Sequence, residues 1–349
     1  WAGEEITRSA NAALAKVRAM YGQMLTRPQY DDLIRRQSVQ EISAYLREKT
    51  SYAAALSGVQ DSAIHRGQLE NLLHKDLFHQ YIRLVRFLGP HHHMGFYVVM
   101  DMEINLILTC MRDLISGHPG TMVAEIPAFM SAYASFDLFA LAQVRDFSQL
   151  LETVANTPYG TVLRQCAQAD VRDGRVDYTA VEVALRTYYY TTLLGYCAKL
   201  HGESRRQVQE LISLRAETSN LNTIFRLKTT FQAPPERIRK MLLPVRCRIG
   251  EKQLDRLVEA RDAQTFMKML CSISPYKRAL SPEMNYIESG TEAIRCGLIR
   301  HKLHFSTDPQ VVFLAFILLR QIEAENIIRV IEGVRYQLPP ERIGSLLCH

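Results

Sequence analysis

A histidine and a carboxylate one helical turn apart could hold a metal ion, and this chain offers Glu70 and His74, with His79 beyond. A catalytic or structural metal needs three or four converging ligands. No further carboxylate or imidazole set converges on these residues, so a solvated helix face is the preferred reading. His91-His92-His93 follows Gly89-Pro90 and reads as an exposed loop, because adjacent histidines point in different directions. His301 and His304 share a helix face but have no third ligand near them in sequence. Tyr188-Tyr189-Tyr190 is expected to be core packing plus one exposed ring, not a stacking platform.

Catalytic and cofactor motifs are missing from the sequence. It has no glycine-rich phosphate loop closed by Lys-Ser/Thr, no G-x-G-x-x-G, no H-E-x-x-H and no G-x-S-x-G. No catalytic residue, cofactor or metal is therefore expected. The densest charge lies from Arg237 to Arg256, where Arg237, Arg239, Lys240, Arg246, Arg248, Lys252 and Arg256 face only Glu251 and Asp255. A nucleic-acid reader would interleave aromatic residues with such a patch, and none is present. The stretch is either ordinary solvated surface or a docking surface for an acidic partner. Arg237, Arg239, Lys240, Arg246 and Arg248 are the candidate docking residues.

The elements that must position these residues repeat. Thr50-Ser51-Tyr52 with Leu56, Thr157-Pro158-Tyr159 with Leu163, and Ser274-Pro275-Tyr276 with Leu280 are the same marker three times, with tyrosines 107 and 117 residues apart. Pro234-Pro235-Glu236-Arg237-Ile238 returns as Pro339-Pro340-Glu341-Arg342-Ile343, offset by 105, each three residues after an aromatic, Phe231 and Tyr336. Two markers at one period predict a triplicated unit. Tyr52, Tyr159 and Tyr276 are expected to be equivalent and mainly buried, each one turn before an apolar leucine.

Apolar spacing at three and four residues predicts helices throughout. Leu14, Val17, Tyr21 and Met24 form the first stripe. Thr26, Pro28, Asp31 and Asp32 suit the start of the next helix, and Ser38 with Glu41 reads as a capping box. Each unit then carries two longer helices. The first pair is built on Leu73 to Leu88 and on 96–115, broken at Gly89-Pro90. The second is built on Val181 to Tyr196 and 205–227, broken at His201-Gly202. The third is built on Ile287, Ile294 and Leu298 and on a helix from Pro309 to Gly333, expected to be the longest. Strand alternation is almost absent, so the fold class is all-α with little or no sheet.

Repeats of about 110 residues fill the chain as 10–122, 123–243 and 244–349 in one compact assembly. Solenoids use periods nearer 34–47 residues; three long units fit closure around an axis, as a funnel or cup with a central bore. Of 349 residues, 47% are hydrophobic and 22% charged, with a net charge of +6, which permits an acidic partner or membrane surface without requiring one. Seven scattered cysteines without a C-x-x-C argue against a disulfide framework and for a reducing compartment. The longest apolar run, Val311 to Leu319, is far short of the roughly 20 residues a bilayer span needs. The chain opens at Trp1 without an initiator methionine, which implies that a few residues precede it.

The run Ala15-Lys16-Val17-Arg18-Ala19-Met20, then Leu25, then Tyr45-Leu46-Arg47-Glu48-Lys49-Thr50-Ser51-Tyr52 resembles the C/d-subunit family of V-type and A-type rotary ATPases. Asp76-Leu77-Phe78, Arg86-Phe87-Leu88 and Met102-Glu103-Ile104-Asn105-Leu106 are similar as well. So is the closing stretch Ile322-Glu323-Ala324-Glu325-Asn326-Ile327 through Gly333 to Leu338-Pro339-Pro340-Glu341. The resemblance spans about 11–347. It implies an all-helical funnel of three related units, peripheral to the membrane at its cytoplasmic face. Such a protein is no catalyst. It sits on the membrane rotor ring and receives the foot of the central shaft, coupling the two during ATP-linked proton or sodium transport. The alternative is an all-helical scaffold or adaptor of another assembly.

Overall fold

The computed structural model describes residues 2–88, 96–119, 126–169, 171–172, 175–284 and 286–348. The fold is all-α. The strands among the described residues are an antiparallel pair of two residues each, Val171–Arg172 and Arg175–Val176. The long helices are Ala2–Tyr21, Arg66–Leu88, Tyr97–Ser116, Tyr178–Cys197, Gly202–Thr230, Glu288–Phe305 and Pro309–Arg335. They lie where apolar periodicity places them, except that the first ends at Tyr21, short of Met24; chain breaks fall at Gly202 and before Pro309, and Gly89-Pro90 lies outside the described residues. One expectation is corrected: Gly202–Thr230, at 29 residues, exceeds Pro309–Arg335, at 27. The 202–230 helix is nearly uniform in polarity around its axis, so its apolar stripe does not reveal its full length. No helix among the described residues is long and apolar enough to cross a membrane.

By packing, the chain divides into two compact units that interleave in sequence. One comprises residues 1–92, 201–211 and 267–349; the other comprises 93–200 and 212–266. This partition follows packing and differs in kind from the boundaries after residues 122 and 243 that the sequence markers lead one to expect.

In the first unit, short N-terminal helices pack on the C-terminal half of the 309–335 helix. Tyr30, Leu33, Ile42, Leu46, Tyr52 and Leu56 share one core with Ile327, Val330, Ile331 and Ile343. The helix Arg27–Leu33 starts with Thr26, whose backbone N–H donates to Gln29 Oε1 at 2.9 Å. Asp31 and Asp32 lie beyond its first turn, and Asp32 instead accepts the Tyr45 hydroxyl at 2.9 Å. Ser38 accepts the N–H of Glu41 at 3.1 Å and so caps Val39–Lys49. The scattered cysteines argue against a disulfide framework, and this unit departs from that expectation with a single disulfide between Cys296 and Cys348. Asn326 causes the approach by clamping the Cys348 backbone with two hydrogen bonds, of 2.6 and 3.1 Å.

In the second unit, Tyr189 and Tyr190 of the triple-tyrosine run are buried and Tyr188 is half-buried. Tyr188 meets the Tyr159 ring edge-on at 5.9 Å, and Phe136 meets the same ring at 6.2 Å. Asp101 is buried between Arg186, at 2.9 Å, and Arg215, at 3.4 Å, which keeps its charge paired away from water.

Gly160, next to Tyr159 in the helix Pro158–Ala169, is required by close packing. A Cβ there would stand 2.5 Å from the Val154 carbonyl oxygen and 3.0 Å from Ala155 Cα. Backbone cannot yield as a side-chain tip does, so Gly160→Ala should destabilise the protein by about 1–3 kcal/mol. A denaturant midpoint equal to wild type would contradict that packing.

Candidate functional site

The 202–230 helix is polar because it works as a bracket. From its inward face Glu217, only 3% exposed, accepts three successive backbone N–H groups through Oε2: Cys247 at 2.8 Å, Arg248 at 2.8 Å and Ile249 at 2.9 Å. One turn on, Asn220 donates to the Leu243 carbonyl at 2.9 Å and accepts the Leu243 N–H at 2.8 Å. Two turns further, buried Lys228 donates to the Val258 carbonyl at 2.7 Å and also to that of Ala260. Burial lowers the Lys228 pKa, and the two carbonyls satisfy its ammonium group. One helix thus fixes a segment of irregular backbone that would otherwise leave amides unpaired.

That segment carries the basic residues singled out above. Arg237, Arg239, Lys240, Arg246 and Arg248 are all exposed. Arg239 pairs with Glu259 at 2.8 Å and Asp255 at 3.8 Å, and Arg246 pairs with Glu251 at 3.0 Å, which partly neutralises both. Arg237 and Lys240 form no ion pair among the described residues. The net positive field of the patch is therefore smaller than the count of seven cations suggests, but its backbone is rigidly held.

The same bracket recurs in the other long helices. Glu323, 2% exposed, accepts the Tyr52 hydroxyl at 2.9 Å and the Leu25 N–H at 2.6 Å, and pairs with buried Arg320. Arg320 also reaches Asp76 at 2.9 Å. Asn326, again three residues after the glutamate, holds Cys348 as Asn220 holds Leu243. Glu103, 3% exposed, accepts the Tyr159 hydroxyl at 2.6 Å and the Ser135 N–H. Burial pushes the Tyr52 and Tyr159 hydroxyls well above the ordinary phenol range, with the adjacent carboxylates adding to the shift. Both therefore stay protonated and donate. Tyr276 is fully buried in the first unit.

The ends of these helices agree too. Each is followed by a residue at positive φ and then, two positions later, by proline: Gly117 (76°) and Pro119, Gln232 (46°) and Pro234, Gln337 (55°) and Pro339. A left-handed residue just past the helix is the usual way of turning the last carbonyls inward. After the second and third ends, Pro235–Arg239 and Pro340–Ser345 are short helices anchored by buried Ile238 and Ile343.

The suspected metal residues fall elsewhere. Glu70 pairs with Arg66 at 2.6 Å. His304 packs edge-on against Tyr21 at 5.2 Å, and His301 against Phe305 at 4.9 Å. Among the described residues no three metal-binding side chains gather, and His91-His93 lies outside them. Reading the sequence by motif missed Glu217, Asn220 and Lys228. The signal that could have found the first two was Glu217-Thr218-Ser219-Asn220-Leu221 matching Glu323-Ala324-Glu325-Asn326-Ile327 at an offset of 106.

Compared with known proteins, the chain matches the family described as ATP synthase (C/AC39) subunit over residues 13–346. Curated relatives include the C subunit of the A-type ATP synthase of Thermococcus kodakarensis, 24% identical over 232 residues, which span 66% of this chain and 60% of that protein. Its counterpart in Pyrococcus abyssi is 21% identical over 353 residues, 95% of this chain and 88% of the relative. The counterpart in Methanosarcina mazei is 21% identical over 345 residues, 96% and 91% respectively.

Proposed function

Because this chain belongs to the ATP synthase (C/AC39) subunit family, we propose that it is a non-catalytic coupling subunit of a rotary A-type or V-type ATPase. In this role it sits on the membrane rotor ring and receives the foot of the central shaft. Shaft and ring then turn together during ATP-linked proton or sodium transport. The chain acts at the cytoplasmic face of the membrane, as a peripheral protein held there by the ring.

The observation that carries the mechanical part of this reading is the recurring bracket. A buried glutamate at Glu103, Glu217 and Glu323 ties backbone amides to a long helix that ends in a left-handed cap. This supports three related repeats, 10–122, 123–243 and 244–349, and in the proposed role they close as a funnel around a bore. A shaft foot of two packed helices is roughly 20 Å across, and three helical walls could meet it off its axis. Torque passes through such walls because packed protein interiors compress little. Brackets of charge-assisted hydrogen bonds would keep irregular loops from yielding under load.

The docking role belongs to Arg237, Arg239, Lys240, Arg246 and Arg248, facing an acidic surface of the shaft or ring. Charge at a rim mainly sets association rate and partner choice. Reversing Arg237 and Lys240 to glutamate should slow assembly with purified shaft and ring roughly tenfold at low salt, and far less at high salt. Helical content should not change. Association at the wild-type rate at low ionic strength would remove these residues from the interface.

A further inference from the structure

Two loop tips of this chain carry closely matching eight-residue segments, identical at six positions and aromatic at the first: Phe231-Gln232-Ala233-Pro234-Pro235-Glu236-Arg237-Ile238 and Tyr336-Gln337-Leu338-Pro339-Pro340-Glu341-Arg342-Ile343. Most of the shared positions have a reason in the fold. Gln232 and Gln337 take the left-handed cap, and Pro235 and Pro340 open short helices whose first turns gain from Glu236 and Glu341. Ile238 and Ile343 are buried anchors. The aromatic and the arginine have no such reason. Phe231 is 58% exposed and Tyr336 66% exposed, and Arg237 and Arg342 are both exposed, with no ion pair among the described residues. At matching places the two segments thus carry a solvent-facing ring and a solvent-facing cation.

We propose that Phe231 and Tyr336 are anchor residues of two protein-docking tips. Each ring enters an apolar recess on a partner surface that is acidic around that recess. The charge on the page sets the partner's sign. In the sequence flanking Phe231 the exposed residues Arg226, Arg237, Arg239 and Lys240 outnumber Glu236. Around Tyr336, Arg335 and Arg342 outnumber Glu341, with the Arg335 guanidinium 5.6 Å from the ring centre. Aromatic and arginine side chains are the types that dominate interface energetics. The end of the Tyr97–Ser116 helix has the left-handed Gly117 but Ser116 where the ring stands, so two of the three cap positions carry an anchor. This inference rests on the docking role proposed above for the basic segment, but not on which assembly the partner belongs to.

The test uses the full chain expressed in place of the native copy, with the photoreactive amino acid p-benzoylphenylalanine at position 231 or 336, and at exposed Phe139 as a control. After irradiation, cross-linked peptides are identified by mass spectrometry. Crosslinks from 231 and 336, but not 139, to acidic segments of one other protein are the expected result. The double variant F231A/Y336A should retain its thermal transition and bind that protein roughly tenfold more weakly or worse. Crosslinks only to lipid, only to a second copy of this chain, or to nothing at either position would overturn the proposal. So would flotation of the purified chain with phosphatidylglycerol vesicles that is lost in F231A/Y336A, since the tips would then be membrane anchors. If the chain co-purifies with rotary ATPase proteins while positions 231 and 336 stay silent, the docking inference fails and the coupling role stands. Crosslinks to an acidic protein foreign to rotary ATPases would do the reverse.

Discussion

Glu323→Ala is expected to destabilise the protein by about 3–5 kcal/mol, a large part of the roughly 5–15 kcal/mol that holds a domain folded. The substitution removes the partner of three groups at once: the Tyr52 hydroxyl, the Leu25 N–H and the buried guanidinium of Arg320. Tyr52 and Arg320 are 1% and 3% exposed, so water cannot replace the lost acceptor without opening the core. Asp76 still meets Arg320 at 2.9 Å, which sets the upper end of the range. Glu323→Gln should fall between, since Tyr52 and Leu25 donate to different carboxylate oxygens and the one amide oxygen of glutamine can keep only one of them. Glu325→Ala, two residues on at a half-exposed pair with Arg329 at 3.8 Å, should change stability by less than about 1 kcal/mol. Urea titration distinguishes these outcomes: equal midpoints for the 323 and 325 alanine variants would refute the bracket.

The same carboxyl also gives a pH signature. Burial raises the Glu323 pKa above its ordinary 4.5, while Arg320, the Leu25 N–H and the Tyr52 hydroxyl pull it down. The folded state therefore binds this proton more tightly than the unfolded state. Its contribution to stability is fully present below the unfolded pKa and declines as pH rises through the raised folded value. Glu323→Gln should remove that component of the slope, seen by comparing urea midpoints of variant and wild type from pH 4 upward.

The second large effect is expected at Glu217. Replacing it with alanine strands the N–H groups of Cys247, Arg248 and Ile249. Charge-assisted bonds of this kind are worth about 1.5–3 kcal/mol each when counted singly, and they do not add fully when they share one acceptor. A loss of about 3 kcal/mol is the result expected for the local structure. Hydrogen exchange should show it as roughly hundredfold faster exchange of amides 247–249, with amides of the Tyr178–Cys197 helix little changed. Because Arg246 and Arg248 ride on this segment, Glu217→Ala should also slow docking, although it alters no surface charge. Unaltered exchange at 247–249 would mean that Glu217 does not brace the basic segment.

Much of the fold was legible before any coordinates. Stripes such as Leu14, Val17 and Tyr21, and breakers such as Gly202 and Pro309, are local signals, and helices form where local signals agree. The cap at Ser38 was legible for the same reason, since Ser38 and Glu41 are near neighbours, whereas the left-handed Gln232 and Gln337 were not read from the sequence. The brackets were not. Tyr52 and Glu323 are 271 residues apart, and no periodicity links a hydroxyl to a carboxylate across that distance. Glu103, Glu217 and Glu323 also look like ordinary helical surface acids, which Glu325 is. What separates them is burial, and burial of a polar side chain follows from tertiary packing. The disulfide between Cys296 and Cys348 was hidden similarly, because Asn326 brings the chain end to its partner. The docking residues stood out by charge, but their pairing with Glu251, Asp255 and Glu259 depends on how the segment folds back.

The coupling role is tested most directly by ATP-driven ion uptake into membrane vesicles from cells that lack this chain, with the other rotary ATPase proteins present. Uptake should be lost without the chain and restored by adding it back, while the soluble catalytic sector still hydrolyses ATP. Ion uptake at the wild-type rate in vesicles free of the chain would contradict the coupling role.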